Sequence, residues 1–176
     1  RASMEAEDVT AQLTQALRLR GAATDETIKM MQAFSAAQQR ITKFDDETIT
    51  RTQTLLVSMT GLTGQGVQPL TKAVLDLATG LNMDAESAAR LVAKTQEGKE
   101  GLARLGITIG DTSSDTERLS RIVEEINKRF GGMAEAAGQT ASGKLAQFRN
   151  SVNDLQERFG ALIVRGLAPF LPLLER

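Results

Sequence analysis

The sequence predicts an all-α protein: a multi-helix bundle of about six or seven helices, with helical hairpins and one longer, heptad-patterned C-terminal helix. Three observations predict it. Apolar residues recur at helical spacing along almost the whole chain, and sustained strand alternation is nearly absent. Glycines at Gly21, Gly61 to Gly66, Gly98, Gly106, Gly110 and Gly131-Gly132 cut that pattern into pieces of ordinary helix length. Few aromatics, all of them Phe at 3% of the chain, and a total of 3 Pro point towards helices more than sheets.

The first helix is expected from about Glu5 to Arg20, with Val9, Leu13, Ala16 and Leu17 as its apolar stripe and Gly21 ending it. Thr24 or Asp25 caps a second helix carrying Ile28, Met31, Phe34 and Ile41. Asp45 or Asp46 caps a third, with Ile49, Leu55, Leu56 and Met59. The tetrapeptides Asp25-Glu26-Thr27-Ile28 and Asp46-Glu47-Thr48-Ile49 are identical, 21 residues apart. They are a worn repeat or, more simply, two helix starts with the same capping chemistry. After Gly61 to Gly66 a fourth helix runs from about Val67 to Leu81, with Pro69 in its first turn, where a missing N–H costs little. Asp84 caps a fifth, which holds Ala88, Leu91, Val92 and Thr95 and ends at Gly98. Leu102 to Leu105 form a short turn, and Gly106 to Gly110 a loop or short extended piece.

Ser114-Asp115-Thr116-Glu117 is a capping box. It opens the clearest amphipathic helix, with Leu119, Ile122, Val123, Ile126 and Phe130 on one face. On the other face Glu117, Glu124 and Glu125 precede Arg121, Lys128 and Arg129 by four, the favourable order for helix ion pairs. Gly131-Gly132 breaks this helix.

The last helix starts near Thr140 and runs into the 160s. Along it Ala141, Leu145, Phe148, Val152, Leu155, Phe159 and Leu162 follow alternating spacings of 4 and 3, a strict heptad seam. Leu145, Phe148, Val152, Leu155, Phe159 and Leu162 are therefore the candidate helix-packing residues. The seam can bury against a helix of the same chain or against another copy, and burial within the bundle is the ordinary outcome.

Composition narrows the function. The 176 residues are 41% hydrophobic and 24% charged, as in ordered protein with a real core. Two regions are expected: helical hairpins rich in Ala, Thr and Gln over 1–100, and a second helical segment over 101–176. There is no Cys, which removes disulfides and thiolate chemistry, and no His, which removes the commonest general base and metal ligand. Lys plus Arg total 21 against 22 acids, so there is no basic excess for specific nucleic-acid binding. The chain opens Arg1-Ala2-Ser3-Met4 and stops just after an apolar run, which reads as an excerpt of a longer protein. The run Ala161 to Leu174 is interrupted by Arg165, Gly166, Pro169 and Pro172 and is shorter than the roughly 20 residues of a membrane span, so membrane contact would need segments beyond residue 176.

Motifs for chemistry are weak. Gly61 to Gly66 lacks the Gly-Lys-Ser/Thr ending of a phosphate-binding loop and follows no strand. Ser142 has no His to activate it, and its spacing to Lys144 is wrong for a Ser-Lys nucleophile. Asp45/Asp46 and Glu124/Glu125 fall at helix starts or on a charged face, as caps and solvating groups do. No cofactor, metal or catalytic residue is assigned, and the chain is not expected to be an enzyme.

The stretch Phe130-Gly131-Gly132-Met133-Ala134-Glu135-Ala136-Ala137-Gly138-Gln139-Thr140 resembles a segment of bacteriophage tail tape-measure proteins. So do Gly143, Phe148, Asn150, Asp154-Leu155 and Gly160, then Leu167-Ala168-Pro169 with Leu171 beyond. The likeness covers roughly Leu102 to Pro172, while residues 1–100 match in style alone; Met133 stands where the family more often has a small residue. The resemblance implies a structural, mostly helical protein of the virion, acting as several copies in the lumen of the growing tail and setting tail length by its own length. Implied partners are further copies of itself, the tail tube protein, tail-assembly chaperones and tail tip or baseplate proteins. A role at DNA ejection is also implied, and some members carry muralytic domains elsewhere. A non-catalytic helical adaptor module is the other class these helices fit.

Overall fold

A computed structural model describes the backbone of residues 2–97 and 101–167, and side chains over 4–97 and 101–157. Within those residues there are eight α-helices and no strand: α1 Ala2–Leu19, α2 Asp25–Ile41, α3 Asp46–Thr60, α4 Gln68–Gly80, α5 Ala85–Gln96, α6 Asp115–Phe130, α7 Met133–Gly138 and α8 Ala141–Leu167. Single 3-10 turns, Gly64–Val67 and Leu102–Leu105, precede α4 and follow α5.

The helix starts are set by local capping. The Thr24 hydroxyl accepts the Thr27 N–H (3.1 Å), and Asp45 does the same for Thr48 (2.7 Å). The two identical tetrapeptides thus both open helices, each offering the N–H of its own Thr to the residue before it. Asp84 accepts the Ser87 N–H (2.7 Å), and Ser114 the Glu117 N–H (3.1 Å). Glu117 closes the box one residue early, accepting from the N–H and hydroxyl of Ser113. Those bonds, then Arg121, hold its carboxyl down at about 2. The three acid-first pairs of α6 all form, Glu117–Arg121, Glu124–Lys128 and Glu125–Arg129, on a solvated face where each adds little.

The core is centred on α4. Ala73, Val74, Leu75, Asp76, Leu77 and Ala78 are all buried, because α3, α5, α6 and α7 surround this helix. The stripe of α1 (Val9, Leu13, Ala16, Leu17) is buried against α3, and α3 also packs on α2 and α5. Packing therefore skips along the chain as often as it pairs neighbours, so the hairpin description holds for α2–α3 and α4–α5 and fails for α1. One apolar cluster runs from Leu13 to Ala134, drawing residues from both sides of position 100. Ile107 plugs the loop at 106–110 into it.

Helix α7 is absent from the sequence expectation. Its start is held from a distance: buried Asp76 accepts the N–H of Gly132 (3.0 Å) and of Ala134 (2.8 Å), 56 and 58 residues away. Gly132 has φ +81, a left-handed turn that a side chain would strain. A second buried polar knot joins α2 to α3, where Gln53 donates to Ser35 Oγ (2.7 Å) and to the Met31 carbonyl (3.1 Å), and Thr50 donates to Ser35 Oγ (2.9 Å).

Helix α5 ends at Gln96, two residues short of the expected Gly98, and Gly98 and the apolar run after residue 167 lie outside the described residues. No described helix is long and apolar enough to cross a membrane.

Candidate functional site

The site worth describing is α8, where the structure departs most from the sequence expectation. Two glycines bring the helix to the body. A Cβ on Gly138 would sit 2.1 Å from the Ile41 carbonyl, and one on Gly143 would sit 2.2 Å from the Ala137 carbonyl. The α7–α8 corner thus lies flat on the end of α2. Thr140 shapes that corner, donating to the Ala137 carbonyl (2.7 Å) and accepting the Gly143 N–H (3.1 Å).

From there α8 lies on α1 and α2 through its polar face. Gln147 Nε2 donates to the carbonyls of Thr42 (3.2 Å) and Gly138 (3.1 Å). Gln39 of α2 donates to Asp154 (2.8 Å), and its oxygen accepts the Asp46 N–H (2.8 Å). Asn150 and Glu157 complete the inward side, half-buried. Helical spacing places 143, 147, 150, 154 and 157 on one side and 145, 148, 152 and 155 on the other.

That second side is the predicted seam, and it faces outward. Leu145 is 52% exposed, Phe148 66% and Leu155 54%, while Val152 is half-buried. Leu145, Phe148 and Leu155 are therefore not buried inside the bundle. The polar face wins because amide bonds and close glycine contacts bind it, leaving the apolar stripe without a cover from the described residues. The side chains of Phe159 and Leu162 lie outside the described residues.

Under α8 the carboxyls crowd. Burial, then neighbouring Glu47, pushes Asp46 up to about 7. Burial also raises Glu47 and Glu157, with Glu157 beside Glu47 and Asp46 beside Glu157 as lesser causes. Arg51 answers part of this charge by pairing with Glu5 of α1. Asp46 Oδ1 and Asn150 Nδ2 are buried with no hydrogen-bond partner. Docking of α8 is thus polar, partly unsatisfied and crowded with like charge, all of which weakens it.

A pH prediction follows with a definite sign. Protonated Asp46 is favoured in the folded state, so its stabilising contribution is complete below 3.8 and is lost as pH rises to about 7. Replacing Asp46 by Asn should leave the melting temperature near pH 4 unchanged and raise it at pH 8. Parallel melting curves for the two proteins across that range would show the assignment to be wrong.

An open groove of about 640 Å³ runs between α2 and α8. Ala36, Gln39 and Arg40 form one wall; Lys144, Phe148 and Leu155 form the other. Asp46, Asp154 and Glu157 also line it. Arg40, Lys144 and Arg149 form no ion pair with a described residue.

The other sequence candidates stay apart. Gly61 to Gly66 is a helix stop and a 3-10 turn, with Gly61 left-handed at the end of α3. Ser142 is exposed and lies 3.1 Å from the Thr140 hydroxyl. Asp45 is a cap, and Glu124 and Glu125 serve the α6 ion pairs. Among the described residues no group of carboxylates converges to hold a metal ion. The gathering of Asp46, Glu47 and Glu157 escaped sequence reasoning, because the third acid comes from a helix 110 positions away.

The fold is an all-α, multi-helix bundle, and its distinctive surface is a helix docked with its apolar stripe outward. No family model, curated protein or solved structure matches the chain.

Proposed function

We propose that the chain is a structural, non-catalytic segment of a tail tape-measure protein, working by helix packing in the lumen of a phage tail. The observation that carries this reading is the outward heptad stripe of α8, within the segment whose sequence resembles that family. A stripe of large apolar side chains held out on a docked helix is a surface for another helix, which suits an assembly protein better than an enzyme. The absence of His and Cys from the chain accords with work done by length and packing. Further copies of the chain, the tail tube protein, tail-assembly chaperones and tip or baseplate proteins are the partners this role would bring to the stripe. The carboxyls under α8 are read as structural: burial and mutual crowding account for their raised values without a catalytic partner.

A helical adaptor module would present the same stripe. In-frame deletions in the encoding gene separate the two. A ruler loses roughly 1.5 Å of tail per helical residue removed, measured by electron microscopy of the particles. Tails of unchanged length would reject the ruler and leave the adaptor.

A further inference from the structure

We propose that α8 is a hinged arm, latched onto the body in acid and released as the carboxyls beneath it ionise, turning at Gln139 and Thr140. The inference goes beyond the ruler reading, because it concerns how the helix is held, whatever covers its stripe.

The first support is where the core stops. The apolar cluster ends at Ala134, and no described residue of α8 belongs to it. Gly143 is the only buried residue over 141–157. The helix can therefore lift without opening the core.

The second support is the corner. Asp76 ties the start of α7 to α4, and Gly138 lies close against the Ile41 carbonyl, so α7 stays with the body. Only Gln139 and Thr140 separate α7 from α8, and a rotation there moves the whole helix.

The third support is the floor under the helix. A carboxylate only accepts hydrogen bonds, so two carboxyls bond to each other only when one carries a proton. Asp46 meets Glu47, and Glu47 meets Glu157 of α8, through bonds of this kind. The charges around them are mostly of the same sign: Glu5 comes from α1, Asp45 stands just ahead of α3, and Asp154 comes from α8. Bases are fewer. Arg51 of α3 pairs with Glu5, while Arg40 of α2 and Lys144 of α8 line the neighbouring groove. Glu135, the one charge of α7, is exposed. Lifting α8 returns the three linked carboxyls to water, where they give up their protons. Docking is thus complete in acid and is lost as pH rises through the docked values, which burial lifts to about 7 for Asp46.

The test uses the 176-residue chain, which has no Cys of its own. Cysteines in place of Ser58 on α3 and Ser151 on α8, both exposed, carry a pair of spin labels. Pulsed electron paramagnetic resonance should find one narrow distance near pH 4.5. Near pH 8 a second, longer and broader population should appear, with the ratio of lifted to docked molecules up about tenfold. Adding Asp46→Asn and Glu157→Gln together should hold that change within about twofold, since the floor no longer charges. A second pair, Ser58→Cys with Ser120→Cys on α6, should keep one distance at both pH values. A single unchanged Ser58–Ser151 distance would overturn the proposal. So would a lifted population that grows as much in the Asp46→Asn, Glu157→Gln protein. Movement of the Ser58–Ser120 pair would overturn it too, because the body itself would then be opening. A fixed arm would leave the tail-length test untouched, and unchanged tails would leave the arm standing.

Discussion

Replacing Asp76 by Ala should destabilise the protein by about 3 kcal/mol, because two N–H groups lose their acceptor at once. Asp76 is buried in the central helix and accepts the N–H of both Gly132 and Ala134, so it ties α4 to the start of α7. No other side chain caps that start. The variant leaves two donors facing a cavity that Ala does not fill. Thermal unfolding should move down by roughly 6–12 °C for a chain of this size. Asp76→Asn keeps one acceptor oxygen and should fall between Ala and the parent. A melting temperature for Asp76→Ala equal to that of the parent would refute the tether.

The second large effect is a contrast between two apolar truncations. Leu77→Ala should cost about 2–5 kcal/mol, since Leu77 is fully buried in the cluster around α4. Phe148→Ala removes a larger side chain and should cost less than about 0.5 kcal/mol in the monomer, because Phe148 is 66% exposed. Sequence periodicity alone ranks these positions alike, as seam residues of amphipathic helices. Chemical denaturation of both variants at low protein concentration separates them. Similar losses would mean that α8 turns its apolar face inward.

Much of the fold is legible in the sequence because its causes are local. A cap needs an acceptor three positions ahead of an N–H, and Thr24, Asp45, Asp84 and Ser114 all supply one. Stripes such as Val9, Leu13, Ala16 and Leu17 are buried as their spacing implies. Three features were not legible, for the same reason. Helix α7 depends on Asp76, which lies more than fifty residues upstream and carries no local mark of a capping role. The heptad spacing of α8 is plain, but which face meets the body is decided by Gln39, Gln147 and the close approaches at Gly138 and Gly143. Spacing finds the stripe without saying what covers it. The acidic floor was hidden likewise: Asp46 reads as one more residue at a helix start until Glu157 is folded over it.

The orientation of α8 supports the assembly role, and neighbouring residues on its two sides report it. Gln147 bonds to the body, whereas Phe148, one position on, is 66% exposed. Single-cysteine variants at these two positions, Gln147→Cys and Phe148→Cys, can be labelled with a thiol reagent in a chain that has no other Cys. With the protein dilute enough to be monomeric, the cysteine at 148 should react about as fast as in an unfolded peptide. The cysteine at 147 should react roughly tenfold more slowly, waiting on local opening of α8. The reverse order, with 148 protected and 147 free, would show the apolar stripe turned into the bundle and would contradict the account.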